Sequence, residues 1–216
     1  MGAQVNPYPS AVLGAGEILN YGRAASFLAP DAFIICADGG LAHCEKLGLR
    51  PDLLIGDFDS LRTPAPPGIP RITLDMEKNY TDSYHAAQEA AARGYTRLLL
   101  CGMLGGRLDH TLANLQLLLN LSGQGIEALL TDGVTDAYAL SGAGELLLPN
   151  RDGCYFSVLA LERCEGVTIT GGKYHLEGYP LRADDPRAVS NEFAGRDVLV
   201  SQRAGKLVVI SQPVGN

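Results

Sequence analysis

Up to about residue 135, hydrophobic positions fall in short continuous runs. Most of them end at glycine or acidic residues, and several lead into a stretch with helical spacing. Ser10–Ala15, Ala32–Ala37, Leu53–Ile55, Arg71–Leu74, Arg97–Cys101 and Ile126–Thr131 read as strands. Leu41 to Leu47, Thr81 to Arg93 and Asp109 to Leu121 read as helices. Gly48 and Gly94 stop the first two, while Thr81 supplies an N-cap and Asp82 an acidic first turn. Leu108, Leu112, Leu115 and Leu119 form the apolar stripe predicted for the third helix. The proline-rich stretch 63–70 reads as a loop. Strands alternating with helices predict an α/β unit with a mostly parallel sheet and helices on both faces.

From Asp136 the helical spacing stops. Glu145–Leu148, Tyr155–Leu161, Val167–Thr170, Asp197–Ser201 and Lys206–Ile210 are short β-rich runs separated by turn residues. They predict an all-β sandwich or barrel at the C-terminal end. The expected division is residues 1–138 and 139–216, with the boundary between 135 and 145.

Composition narrows the picture. The chain has 216 residues, of which 46% are hydrophobic, and carries a net charge of −7. It has no Lys/Arg cluster, so a nucleic-acid groove or an anionic membrane surface is not expected. The five cysteines form no C-x-x-C pair, and no apolar run approaches 18 residues. Residues 1–7 lack the basic and apolar regions of a signal peptide. A cytoplasmic protein with reduced thiols, outside any membrane, is the expectation.

Candidate chemistry gathers at the carboxyl ends of the predicted strands, where open α/β sheets bind ligands. The central stretch is Gly56-Asp57-Phe58-Asp59-Ser60. Continued period-2 alternation would send the Asp57 and Asp59 carboxylates to one side and Phe58 to the other. Two carboxylates that close call for a hard divalent cation such as Mg²⁺, which brings substrate phosphates with it. Two solvated aspartates on a turn are the plainer reading. Asp38-Gly39-Gly40, Asp82 and the run from Gly105 to His110 supply three more polar clusters. Asp38 also reads as an N-cap, Asp82 as a helix-dipole partner and His110 as a surface histidine. Gly105 and Gly106 allow backbone N–H groups to approach an anion at a helix N-terminus, and Arg107 adds a guanidinium. His110 and Asn114 share a helix face.

These stretches carry a resemblance. Residues 37–40, 51–60, 77–82 and 102–114, with Gly172-Lys173-Tyr174 and Val189-Ser190-Asn191-Glu192, are similar to the motifs of thiamine pyrophosphokinases, in order along nearly the whole chain. The resemblance implies transfer of a pyrophosphoryl group from ATP to the hydroxyl of thiamine, giving thiamine diphosphate and AMP. It implies an N-terminal nucleotide-binding catalytic domain, a C-terminal β-sandwich for thiamine binding and dimerisation, and a homodimer with thiamine between subunits. It points to Asp57, Asp59 and Asp82 as Mg²⁺ ligands, with these three, Arg107 and Asp38 in catalysis. Gly39, Gly105, Gly106, Arg107, Asp109, His110 and Asn114 would bind ATP, and Ser190 and Asn191 would bind thiamine. Asn79 departs from the family's usual Asp and brings no negative charge, and the chain has no Trp to stack on thiamine. Two other functions fit parts of the pattern. One is a phosphohydrolase of the haloacid-dehalogenase type with Asp57 as nucleophile. The other is a non-catalytic nucleotide-sensing module.

Overall fold

The computed structural model describes residues 6–58, 66–75 and 79–215. The chain divides into two compact units, one built from Pro7–Leu117 and Gly125–Val134, the other from Leu118–Gln124 and the chain from Thr135 onward.

In the first unit the elements run β1 (Tyr8–Leu13), α1 (Tyr21–Ala25), β2 (Leu28–Ala37), α2 (Leu41–Lys46), β3 (Leu53–Gly56), β4 (Arg71–Thr73), α3 (Asp82–Ala92), β5 (Arg97–Cys101), α4 (Leu108–Gly123) and β6 (Glu127–Thr131). Helix α4 runs past Leu117 into the segment assigned to the other unit. The strand order is β6-β5-β1-β2-β3-β4, and every pairing is parallel. Leu98, Leu99 and Leu100 of β5 are all fully buried. That explains a continuous apolar run rather than alternation, because both faces of a parallel sheet are covered. Helices α2 and α3 pack against β1 and β2.

The order fixes the site. The chain builds β1 to β4 in one direction, then returns to place β5 on the other side of β1. The point between β1 and β5 is therefore where the strand order reverses, and a crevice opens there at the carboxyl ends.

The second unit contains β7 (Asp136–Ser141), β8 (Gly144–Leu148), β9 (Cys154–Ala160), β10 (Val167–Thr170), β11 (Leu176–Tyr179), β12 (Asn191–Glu192), β13 (Val198–Gln202) and β14 (Lys206–Pro213). They form antiparallel sets ordered β12-β9-β14-β7 and β11-β10-β13-β8. Phe156 and Val158 of β9, Leu207 and Val209 of β14, Ile169 of β10 and Val198 and Val200 of β13 share one core. The two sets thus pack face to face, as in a sandwich.

Several elements differ from the sequence expectation. Helix α1 and strands β7, β11 and β12 were not anticipated, and β2 begins four residues earlier than expected. The α4 stripe also differs. Leu115 and Leu119 are buried, together with Leu117, Leu118 and Leu121, but Leu108 and Leu112 are exposed. Helical spacing marks a face but does not show how far along the helix that face is covered.

All five cysteines are free, and four are buried. Among the described residues, no helix is long and apolar enough to cross a membrane.

Candidate active site

Two glycine turns form the crevice between β1 and β5. Gly14 N–H donates to the Cys101 carbonyl (2.8 Å), and Gly16 N–H donates to the Gly102 carbonyl (2.7 Å). The turns approach too closely for side chains: a Cβ on Gly16 would lie 2.7 Å from the Gly102 oxygen. They form one wall of a cavity of about 310 Å³. Ala37 and Asp38 enter it from the end of β2, and Thr81, Asp82 and Ser83 from the start of α3. Met103 to Arg107, with His110 and Asn114, enter from the β5–α4 turn and the first turns of α4.

Asp38, which lines the cavity, has a strained backbone. Asp38, Phe58 and Ser190 are the non-glycine residues with positive φ among those described, at 46°, 60° and 57°. Such geometry costs about 1–3 kcal/mol per residue and collects at functional sites. Strand β3 ends at Gly56. With Phe58 in the left-handed region, the strand geometry stops before Asp59, and the expected direction of the Asp59 carboxylate lies outside the described residues. Arg71 stands 5.9 Å over the Phe58 ring. Asp59 lies outside the described residues, as do Ser60, Glu77 and Lys78.

Asp38 does not cap α2, whose N-cap is Gly40. Its carboxylate instead packs on Gly56, where any Cβ would overlap it. Gly39 lies in the short 3₁₀ turn that follows Asp38. Asp82 occupies the first turn of α3, and Thr81 caps that helix by accepting from the Tyr84 N–H (3.2 Å). Asn79 is exposed.

Gly105 and Gly106 have φ of 76° and 64° and precede the 16-residue helix α4, a geometry in which backbone N–H groups can approach an anion. Arg107 pairs with Asp109 at two points, Nε to Oδ1 at 3.1 Å and Nη2 to Oδ2 at 2.6 Å. Both side chains are largely exposed. The Arg107 hydrogen bond holds the Asp109 carboxyl below its usual range. Asp109 Oδ1 also accepts from the His110 N–H (3.0 Å), which stabilises the start of α4. His110 is exposed, whereas Asn114 is buried. Asn114 Nδ2 donates to the Met103 carbonyl (2.8 Å), so its amide braces the glycine turn as well as lining the cavity.

The oxygen-only side chains Asp38 and Asp82, with Asp57 at the end of β3, suit a hard divalent cation. Among the described residues no group of three or more His, Cys, Asp or Glu side chains is gathered to hold a metal, and Asp59 is not among those residues.

The second unit carries a pocket of about 220 Å³ lined by Ile169, Tyr174, His175, Leu176, Arg187, Ala188, Val189 and Asn191. Asn191 is buried, and its amide is committed to the protein. Oδ1 accepts from the N–H groups of Tyr174 and Glu192 (2.9 Å each), and Nδ2 donates to the Tyr174 carbonyl (2.6 Å). It therefore locks the turn that carries Tyr174, a residue that is 58% exposed. Lys173 lies 5.4 Å over that ring, and its ammonium donates to Glu192 (2.7 Å). Ser190 is exposed, and its N–H donates to Ser157 Oγ (3.0 Å).

Sequence reasoning passed over the turn after β1, Ser83, His175 and Arg187. The Gly14-Ala15-Gly16 spacing after the first strand was the available signal for the first of these.

The family profile of the thiamin pyrophosphokinase catalytic domain matches residues 24–130, and that of the thiamin pyrophosphokinase vitamin B1 binding domain matches residues 145–207. The thiamine pyrophosphokinase of Bacillus subtilis (strain 168) is 26% identical over 182 residues, which is 82% of this chain and 85% of that protein. The crystal structure of thiamine pyrophosphokinase from Bacillus subtilis matches with a TM-score of 0.85 at 24% identity, covering 95% of this chain and 99% of the other. That of thiamin pyrophosphokinase from Geobacillus thermodenitrificans gives 0.82 at 25% identity, with 96% and 98% covered. Thiamin pyrophosphokinase from Candida albicans gives 0.74 at 15% identity, with 96% and 90% covered. With both profiles matched in order along most of its length, the chain belongs to the thiamin pyrophosphokinase family.

Proposed function

We propose that this protein transfers a pyrophosphoryl group from ATP to the hydroxyl of thiamine, with Mg²⁺ required, giving thiamine diphosphate and AMP. The observation that carries the reading is the cavity at the point where the strand order reverses. It joins an anion-binding glycine turn and Arg107 to the carboxylates of Asp38 and Asp82.

Such a transfer needs positioning and charge neutralisation more than covalent help. The thiamine hydroxyl oxygen attacks the β-phosphorus. The bond from that phosphorus to the oxygen bridging it to the α-phosphorus breaks, and AMP leaves with the bridging oxygen. The N–H groups of Gly105 and Gly106 and the Arg107 guanidinium face the charge that shifts onto the transferred group and AMP. Gly39, Asp109, His110 and Asn114 complete or brace the nucleotide site. Asp57, Asp59 and Asp82 would hold Mg²⁺, which when bound neutralises phosphate charge. The hydroxyl proton passes to Asp38 or to one of those three carboxylates.

Thiamine is a cationic aromatic molecule. The half-exposed Tyr174 ring, presented by Asn191 beside a small pocket, suits it by stacking and cation–π attraction. Ser190, exposed between the lining residues Val189 and Asn191, supplies a hydroxyl for the same substrate. We assign the working form as a cytoplasmic homodimer. Exposed Tyr174 and Val189 at the pocket mouth support the dimer, and five free thiols support the compartment.

The test is an AMP assay with ATP, Mg²⁺ and thiamine, repeated without thiamine and with EDTA. AMP formed only in the complete mixture supports the reading. AMP release indifferent to thiamine, or no AMP at all, rejects it.

A further inference from the structure

His43 lies on α2, outside the residues that line the cavity, yet both of its ring nitrogens are engaged around that cavity's wall. The side chain is buried. Nε2 lies 2.6 Å from the Gly16 carbonyl oxygen, and Nδ1 lies 2.7 Å from the Tyr21 hydroxyl. A carbonyl only accepts, so Nε2 carries the proton. Nδ1 of the neutral ring therefore accepts from the Tyr21 O–H on α1. Lys46 stands 5.4 Å over the Tyr21 ring.

Gly16 is thereby held from both sides. Its N–H is bound to the Gly102 carbonyl, and its own carbonyl is bound by His43. Gly16 and Gly102 both line the cavity. Gly16 and Gly102 have no side chains of their own to wedge them in place, so their distance from a ligand depends largely on these backbone clamps.

We infer that His43 is a positioning residue for nucleotide binding, fixing the Gly14–Gly16 wall through the Gly16 carbonyl, with Tyr21 holding the ring in the required tautomer. The inference rests on the reading that ATP occupies this cavity. No step of the transfer passes through His43, so its loss should weaken ATP binding far more than turnover. Thiamine, assigned to residues of the other unit, should be unaffected.

The test uses the full chain and calorimetric titration with ATP and Mg²⁺, alongside steady-state kinetics. His43→Phe keeps the ring volume and leaves the half-buried Gly16 carbonyl without its donor. ATP binding should weaken about tenfold, since a wall that has lost this hydrogen bond must be re-ordered when ATP binds, and one such bond is worth about that order. The thiamine KM should stay within about twofold of wild type and kcat within about threefold. His43→Gln, which can still donate to Gly16, should recover most of the affinity. Tyr21→Phe, which removes a single hydroxyl and is mild for folding, should weaken ATP binding about threefold. Wild-type protein that takes up no ATP overturns the nucleotide reading and this inference with it. Wild-type ATP binding with either Phe variant unchanged overturns the inference alone. So does an equal loss in ATP affinity, thiamine KM and kcat.

Discussion

The Asp38 carboxylate occupies the space that a side chain on Gly56 would fill. This contact joins the end of β2 to the end of β3, and Asp38 reaches it through a backbone turned to φ 46°. Gly56→Ala should therefore displace the carboxylate and destabilise the protein by about 1–3 kcal/mol, the usual cost of overpacking. AMP formation should fall with it. Urea unfolding and the AMP assay read the two effects, and a Gly56→Ala protein with wild-type values for both would contradict the placement of Asp38.

Arg107 and Asp109 form an exposed pair, and such pairs contribute little to stability. Arg107→Ala should leave the unfolding midpoint where it was while lowering turnover by about a hundredfold, as for loss of a charge-stabilising donor. Retention of more than half of the activity would remove Arg107 from the transfer step.

Asn191 contacts the backbone on both sides of Tyr174 and lies buried. Asn191→Ala should cost roughly 2–3 kcal/mol through the unpaired groups left behind. It should raise the thiamine KM while ATP affinity holds. An unchanged thiamine KM would show that the Tyr174 turn does not serve that substrate.

His43 gives a pH signature. Burial pushes its pKa below the ordinary value of 6.5, the Gly16 hydrogen bond pulls it upward, and Lys46 lowers it further. Below 6.5 the unfolded chain then binds more protons than the folded one. The contribution of neutral His43 is thus fully present above that pH and is lost as pH falls through it toward the folded value. The melting-temperature advantage of wild type over His43→Gln should be largest above pH 7 and shrink below pH 6. An advantage that grows on acidification would contradict the tautomer assigned here.

Much of this architecture was legible in the residues. Continuous apolar runs such as Leu98-Leu99-Leu100 mark strands covered on both faces, and Thr81 with Asp82 marks a helix start that the structure contains. What stayed hidden depends on tertiary placement. Phe58 looks like any strand residue, and nothing local announces its left-handed backbone. Leu108 and Leu112 have the spacing of buried residues, yet no neighbour covers enough of them to bury them. Nothing in the sequence around Asn191 announces that its amide also binds the Tyr174 backbone. His43 has no motif at all, because its partners lie 22 and 27 positions away in sequence.

Whether the two terminal phosphates of ATP move to thiamine as one unit is the most direct question. ATP labelled at the β-phosphorus should be incubated with the protein, Mg²⁺ and thiamine, and the products separated. The account predicts label in thiamine diphosphate, unlabelled AMP in equal amount, and neither product when Asp82→Ala replaces the wild type. Label in inorganic phosphate, in ADP or in pyrophosphate free of thiamine would contradict it.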